Sequence, residues 1–158
     1  MKLLFKYPWL LRWGMNIWPP FFFSGIKISR LKTDFSYAQT MLKWRSWNLN
    51  ANRSQYGGSM ASMTDPMYSI LLIGTLGHDY FVWDKSFEID FIKPGVGKLT
   101  AEFEVTEQHI AEIKKQTADG EKYCPTFDVY IKNASDEVIC HVKKTLYIRL
   151  KPHARPKI

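Results

Sequence analysis

"LNANRSQYGGSMASMTDPMYSILLIGTLG", residues 49–77, places two glycines ahead of an apolar run in which Asp65 is the only charged residue between Gly57 and Leu76. The run is long and apolar enough for one buried helix from about Gly57 to Leu76. The first amides of such a helix have no intrahelical partner, and glycine leaves them open to close approach by a carbonyl oxygen. That is an oxyanion hole in outline. Asp65 follows Gly58 by nearly two turns, so both project from about the same side, roughly 10 Å apart along the axis at about 1.5 Å per residue. One carbonyl cannot meet both at about 3 Å. Antiparallel helices in a two-fold dimer would bring Gly58 of one chain opposite Asp65 of the other, giving two composite sites. A plainer reading also stands. Asp followed by Pro is a natural N-cap with proline at the first helical position, and on that account Asp65 only starts a helix at Pro66.

Working outward, residues 26–31 and 35–44 read as strands joined by a turn at Lys32, Thr33 and Asp34. Beyond the helix, Phe81, Trp83, Phe87, Ile89 and Phe91 alternate with Asp84, Ser86, Glu88 and Asp90, which predicts a strand with one buried face. Lys93, Pro94 and Gly95 break it, and the alternation resumes at Leu99, Ala101, Phe103 and Val105, so these two strands are expected to form a hairpin. Thr106 is placed to cap a short helix with Ile110 and Ile113 facing inward, ended by Gly120. Residues 123–131 and 138–150 form a closing hairpin around Asn133 to Asp136. Ahead of all this, a short helix is expected from Pro8 to a stop before Pro19. The division is an N-terminal helical segment (1–24), one α+β domain (25–151) and a flexible tail (152–158).

The 158 residues suit one domain with a substantial core. The net charge of +7 is uneven: +8 over residues 1–64, −7 over 65–142 and +6 over 143–158. A basic surface attracts nucleic acid, anionic membrane or a phosphorylated small molecule alike. No nucleic-acid-binding signature is present and the acidic middle opposes a continuous basic groove, so nucleic acid is not an expected partner. Cys124 and Cys140 make no disulfide framework, which points to a reduced, cytoplasmic setting. His78, His109, His141 and His153 lack ligand spacing, and no structural metal is expected. In the apolar N-terminus, Lys6, Arg12, Pro8, Pro19 and Pro20 oppose a spanning helix. Its first helix is read as packing on its own domain in preference to membrane contact through Trp9, Trp13 and Arg12.

The pattern Asn50, Tyr56-Gly57-Gly58 and Asp65, on a long helix wrapped by an antiparallel sheet, resembles the hotdog-fold acyl-CoA thioesterases of the phenylacetic-acid-pathway (PaaI-like) type. "GGSMASMTDP" and "YFVWDKSFEIDFIKPG" are similar to a poorly characterised thioesterase-like hotdog subgroup, over residues 25–150, which also carries an N-terminal helix. The resemblance implies a hotdog fold, an acyl-CoA substrate with no other cofactor, and a homodimer or homotetramer. It implies Asp65 as general base or nucleophile, the Gly58 amide as oxyanion donor, and Asn50 as a helper positioning water or thioester. The family has His where this chain has Tyr56, whose phenol donates a hydrogen bond but is no base near neutral pH, with a reference pKa of about 10.

Other readings compete at each position. Asn50 and the neighbouring Asn52 suit a turn. Tyr68, Phe81 and Trp83 suit an acyl tunnel or plain core. Lys93 meets a CoA phosphate or is simply solvated beside Pro-Gly. As a whole the chain reads as a thioesterase, or alternatively as a non-catalytic acyl-CoA or lipid-binding hotdog protein. The dehydratase branch of the fold would need a histidine near the central helix, and His78 falls beyond it.

Overall fold

Alternation puts one side of Leu99–Glu104 and of Thr126–Lys132 in the core, with Phe127, Val129 and Ile131 buried and their neighbours largely exposed, and over Val138–Leu150 every second residue from Cys140 to Ile148 is buried. The computed structural model describes residues 2–156. It holds these strands in one six-stranded antiparallel sheet, ordered β1-β2-β4-β5-β6-β3. The strands are β1 (Ile26–Leu31), β2 (Tyr37–Leu42), β3 (Tyr80–Phe91), β4 (Leu99–Glu104), β5 (Thr126–Lys132) and β6 (Val138–Leu150). The helices are α1 (Lys2–Lys6), α2 (Pro8–Ile17), α3 (Pro19–Ser24), α4 (Gly57–Ser62), α5 (Met67–Leu76) and α6 (Glu107–Gln116).

The sheet wraps around α5, whose Met67, Tyr68, Ile70, Leu71 and Leu72 are buried. The α+β arrangement is the one expected, with a helical segment running from Gly57 to Leu76 at its centre. The segment is interrupted between Ser62 and Met67. Pro66 has no amide to donate, so the ladder cannot run unbroken through it. At Gly74 an added Cβ would lie 2.1 Å from the ring of Phe35, so only glycine lets that ring pack on α5. The closing hairpin β5–β6 and the Thr106 cap form as expected. Thr106 Oγ1 accepts from the His109 amide while His109 Nδ1 accepts from the Thr106 amide, each at 3.2 Å.

Two expectations are corrected. β3 and β4 are not a hairpin: β4 lies between β2 and β5, and β3 pairs with β6 from Tyr80↔Leu150 to Phe91↔Cys140. The linker after β3 is instead tied to the loop before α4, where the Gln55 amide donates to Gly95 O at 2.8 Å and Gln55 Nε2 to Gly97 O at 2.9 Å. This leaves the twelve-residue β3 to pair with the thirteen-residue β6. Nor do the β3 aromatics share one face. The register with β6 shifts between Asp84 and Ser86, and such a bulge exchanges the two sides of a strand. Val82 and Asp84 pair with the buried Ile148 and Leu146 and face inward, leaving Phe81 and Trp83 outside. Past the shift, Phe87, Ile89 and Phe91 pair with the buried Lys144, Val142 and Cys140, and they take over the inward side.

The N-terminal segment shares the core through Leu11 and Phe21. Its α2 follows the sequence, but Pro19 and Pro20 start a further helix, α3, because proline suits a first turn as well as it stops a preceding one. In the segment expected to be a flexible tail, Pro152–Ala154 forms a 3-10 turn and Arg155 Nε donates to Leu150 O at 2.9 Å. The tail's last residues, 157 and 158, lie outside the described residues.

Candidate active site

The loop before α4 is built by Asn50. Its Oδ1 accepts from the amides of Asn52 and Ser54 at 3.0 and 3.1 Å, and its Nδ2 donates to Ser54 Oγ at 2.9 Å. This is the Asx-turn chemistry that a loop asparagine favours. The turn delivers the chain to Gly57, and Tyr56 N donates to Asn48 O at 3.2 Å. No side chain caps α4, and among the described residues neither the Gly57 nor the Gly58 amide has a protein acceptor. Aromatic rings lie close against both glycines. A Cβ on Gly57 would come 3.1 Å from the Phe91 ring, and one on Gly58 would come 2.4 Å from the Tyr56 ring. The exposed Tyr56 phenol therefore folds back over the start of the helix.

Asn50, Gly57 and Lys93 line one open cleft of about 390 Å³, together with Gln55, Phe91 and Gly95. Lys93 is ion-paired with Glu137, whose carboxyl it holds below the usual range. Gln55 is fully buried. Its Nε2 is spent on the carbonyls of Lys43 and Gly97, and its Oε1 has no partner among the described residues.

Asp65 stands at the break in the helical segment and does not cap α5, which has no side-chain cap bond. Its Oδ1 accepts from Lys144 Nζ at 3.0 Å. Lys144 Nζ also lies 3.1 Å from Asp84 Oδ2, and Ser69 Oγ donates to Asp84 Oδ1 at 3.0 Å. The ammonium sits 5.2 Å above the Phe87 ring. The Lys144 side chain is 1% exposed and that of Asp65 is 59% exposed, so a core cation grips a carboxylate that faces solvent. Burial pushes the Asp84 carboxyl up, against the opposing pull of Lys144 and Ser69. Among the described residues Asp65 Oδ2 makes no hydrogen bond, which leaves it available to a water or a substrate carbon.

The remaining candidates lie elsewhere. Tyr68 is core: it stacks on Phe127 at 4.3 Å and meets Phe103 edge-on at 5.6 Å, and burial pushes its phenol up to about 12. Trp83 stacks on Tyr147 at 4.8 Å on the outer side of the sheet, over a cavity of about 400 Å³ that also contacts Phe5, His78 and Phe81. Sequence reasoning missed Lys144, Asp84, Ser69 and Gln55. For Lys144 the signal was present, since it shares strand parity with Val142, Leu146 and Ile148. Asp84 was set on the polar side because the bulge after it was not foreseen. Gln55 gave no signal.

Over residues 8–148 the sequence matches the family described as "Domain of unknown function (DUF4442)". The chain belongs to that family. Solved structures extend the comparison of this DUF4442 chain to fold. A Pseudomonas aeruginosa protein, PA5026, described as a probable thioesterase, superposes with a TM-score of 0.82 at 16% identity, over 91% of this chain and 96% of its own. The Escherichia coli PaaI protein of the phenylacetic acid degradation operon gives a TM-score of 0.62 at 20% identity, over 86% and 87%. The Haemophilus influenzae thioesterase HI1161 gives 0.65 at 14% identity, over 92% of each chain. These likenesses establish the hotdog fold of the DUF4442 chain. No curated protein matches its sequence.

Proposed function

We propose that this protein hydrolyses acyl-CoA thioesters at sites shared between two protomers. The observation that carries this reading is the state of Asp65: a carboxylate released from capping, fixed through one oxygen by a buried lysine, with the other oxygen free. The unclaimed amides at Gly57 and Gly58 supply the complementary half. In the reaction, Asp65 of one chain takes the proton of an attacking water, or attacks the carbonyl carbon itself to form an acyl-Asp65 anhydride that a water then cleaves, releasing the acid and restoring the carboxylate. The Gly58 amide of the other chain receives the developing oxyanion, the Tyr56 phenol donates beside it, and the C–S bond breaks to release CoA thiolate. Asn50 and Lys93 line the cleft that leads to the Gly57 amide, suited to the thioester and CoA end.

The open edge of β3 supports a shared site. Phe87 and Phe91 are on the inward side of the sheet yet about half exposed, so a single chain leaves inward-facing aromatics uncovered. A second copy that adds its own β3 there would cover them and close the unpaired backbone edge.

The test is hydrolysis of a panel of acyl-CoAs by the wild type and by Asp65→Asn. Asparagine keeps the size of the side chain but cannot serve as base or nucleophile, and activity is expected to fall by on the order of 100-fold or more with the fold retained. Equal activity in the two proteins removes Asp65 from the chemistry. A wild type that binds acyl-CoA and hydrolyses none of the panel is a carrier instead.

A further inference from the structure

The N-terminal helices carry an outer surface that the core does not use. Trp9, Trp13 and Ile17 recur at four-residue spacing and form one exposed stripe of α2, with Trp9 70% exposed, while Leu11 is buried in the core. After Trp18, itself exposed, α3 buries Phe21 and leaves Phe22 and Phe23 outside, Phe23 at 69%. Trp47 extends the surface at 68% exposure: it belongs to the Ser46–Asn48 turn, and its indole donates to Phe23 O at 3.1 Å. Five of the six tryptophans of the chain lie between residues 9 and 47, and all five are exposed. Scattered exposed apolar residues are normal, but this many exposed aromatics on the packed helices α2 and α3 and the adjoining turn mark an interaction site.

Its charge selects the partner. Phe22, Phe23 and Trp47 wall an open cavity of about 420 Å³ whose other lining includes Lys27, Lys43 and Arg45. Among the described residues none of these three cations pairs with a carboxylate, and Arg45 lies over the Trp47 ring at 5.3 Å. Residues 1–64 hold nine Lys/Arg and a single acid, Asp34. Two such faces repel one another, which disfavours a second copy as the occupant. Tryptophan and phenylalanine beside a cluster of cations match the headgroup layer of an anionic bilayer, where amphipathic rings settle and basic residues meet lipid phosphate. No helix among the described residues is long and apolar enough to cross a membrane, so the contact would be interfacial.

We propose that α2, α3 and the Ser46–Asn48 turn form a docking surface for anionic lipid bilayers, with the cavity bounded by Lys27, Lys43 and Arg45 taking a lipid phosphate. The inference is independent of the hydrolytic reading, since the surface flanks β1 and shares no residue with Asp65, Lys144 or the Gly57 cleft.

The experiment is co-sedimentation of the full chain with phosphatidylcholine vesicles, with and without roughly 30 mol % phosphatidylglycerol. Binding to the anionic vesicles is expected to exceed binding to the neutral ones by about tenfold or more, and to weaken as salt screens the charges. Trp13→Ser/Phe23→Ser and Lys43→Glu, all at outward positions, should each lower binding at least about tenfold with melting temperature unchanged. Brominated acyl chains should quench wild-type tryptophan fluorescence. The proposal fails if wild type binds neither vesicle at about 1 mM lipid, or if Trp13→Ser/Phe23→Ser binds like wild type. It fails equally if those substitutions lower the oligomeric state in the absence of lipid, which would make the surface an interface between copies. Single-stranded RNA bound more tightly than anionic vesicles would assign the surface to nucleic acid and overturn it as well.

Discussion

The two edges of the sheet are finished differently. At β1 the chain closes its own edge: Asn16 of α2 gives its Nδ2 to Ile28 O at 3.2 Å and accepts from the Ile28 amide at 2.7 Å, in place of a neighbouring strand. At β3 no strand among the described residues pairs with the outer edge, the strand bulges between Asp84 and Ser86, and Phe87 and Phe91 stay half exposed on the inward side. An edge that is long, uncovered and aromatic invites pairing unless something blocks it. The contrast teaches that this chain uses side chains to close one edge and leaves the other open, where the second copy we propose would pair. Asp84 and Lys144, the polar pair that holds Asp65, lie on the open side.

The largest effect is expected at the open edge. Phe87→Ser/Phe91→Ser removes two aromatic anchors, and at about 2 kcal/mol each the dimer should weaken by roughly 1,000-fold, which sedimentation equilibrium would read as monomer at micromolar concentration. An unchanged dimer would place the interface elsewhere. Next is Lys144→Met, which strands Asp84 and Asp65 without their cation. A loss of about 3 kcal/mol in denaturant unfolding is expected, the low end for a broken buried pair because Asp84 keeps some solvent. Adding Asp84→Leu should restore most of that loss, since replacing a whole buried pair by apolar groups is often neutral.

At the closed edge, Asn16→Ala leaves the buried Ile28 amide and carbonyl without partners and should cost about 1 to 2 kcal/mol, with the oligomeric state unchanged. The smallest effect belongs to Glu137. Its folded carboxyl is held below its ordinary value by Lys93, so its contribution is present above that ordinary value and is lost as pH falls through the lowered one. Glu137→Gln should remove only that acid-side slope, with a melting temperature at neutral pH close to wild type, because the pair is exposed.

Much of this was legible in the sequence where a local pattern meets no long-range competition. Alternation marks β4, β5 and β6, the Thr106 cap marks α6, and the resemblance of the Asn50, Gly57-Gly58 and Asp65 pattern to the PaaI-like family implies the helical centre of a hotdog fold. The partner of β3 was not legible, because Lys93-Pro94-Gly95 has the composition of a hairpin turn and residues distant in sequence, Gln55 and Ile139 among them, redirect it. Nor was the bulge, since neither glycine nor proline marks it, and with it went the inward placement of Asp84. Lys144 was within reach. Its parity sets a lysine among core positions, and a buried lysine demands a carboxylate partner.

The most direct measurement is of activity on mixing Asp65→Asn chains with Gly58→Val chains. In the latter an added side chain meets the Tyr56 ring and crowds the amide proposed to hold the oxyanion. Each homodimer lacks one half of every site, whereas a mixed dimer holds wild-type Gly58 and Asp65 together at one of its two sites. With both homodimers folded and inactive, the shared-site account predicts that acyl-CoA hydrolysis returns after subunit exchange, toward about half the wild-type rate per mixed dimer. Mixed dimers that form and stay inactive would contradict it.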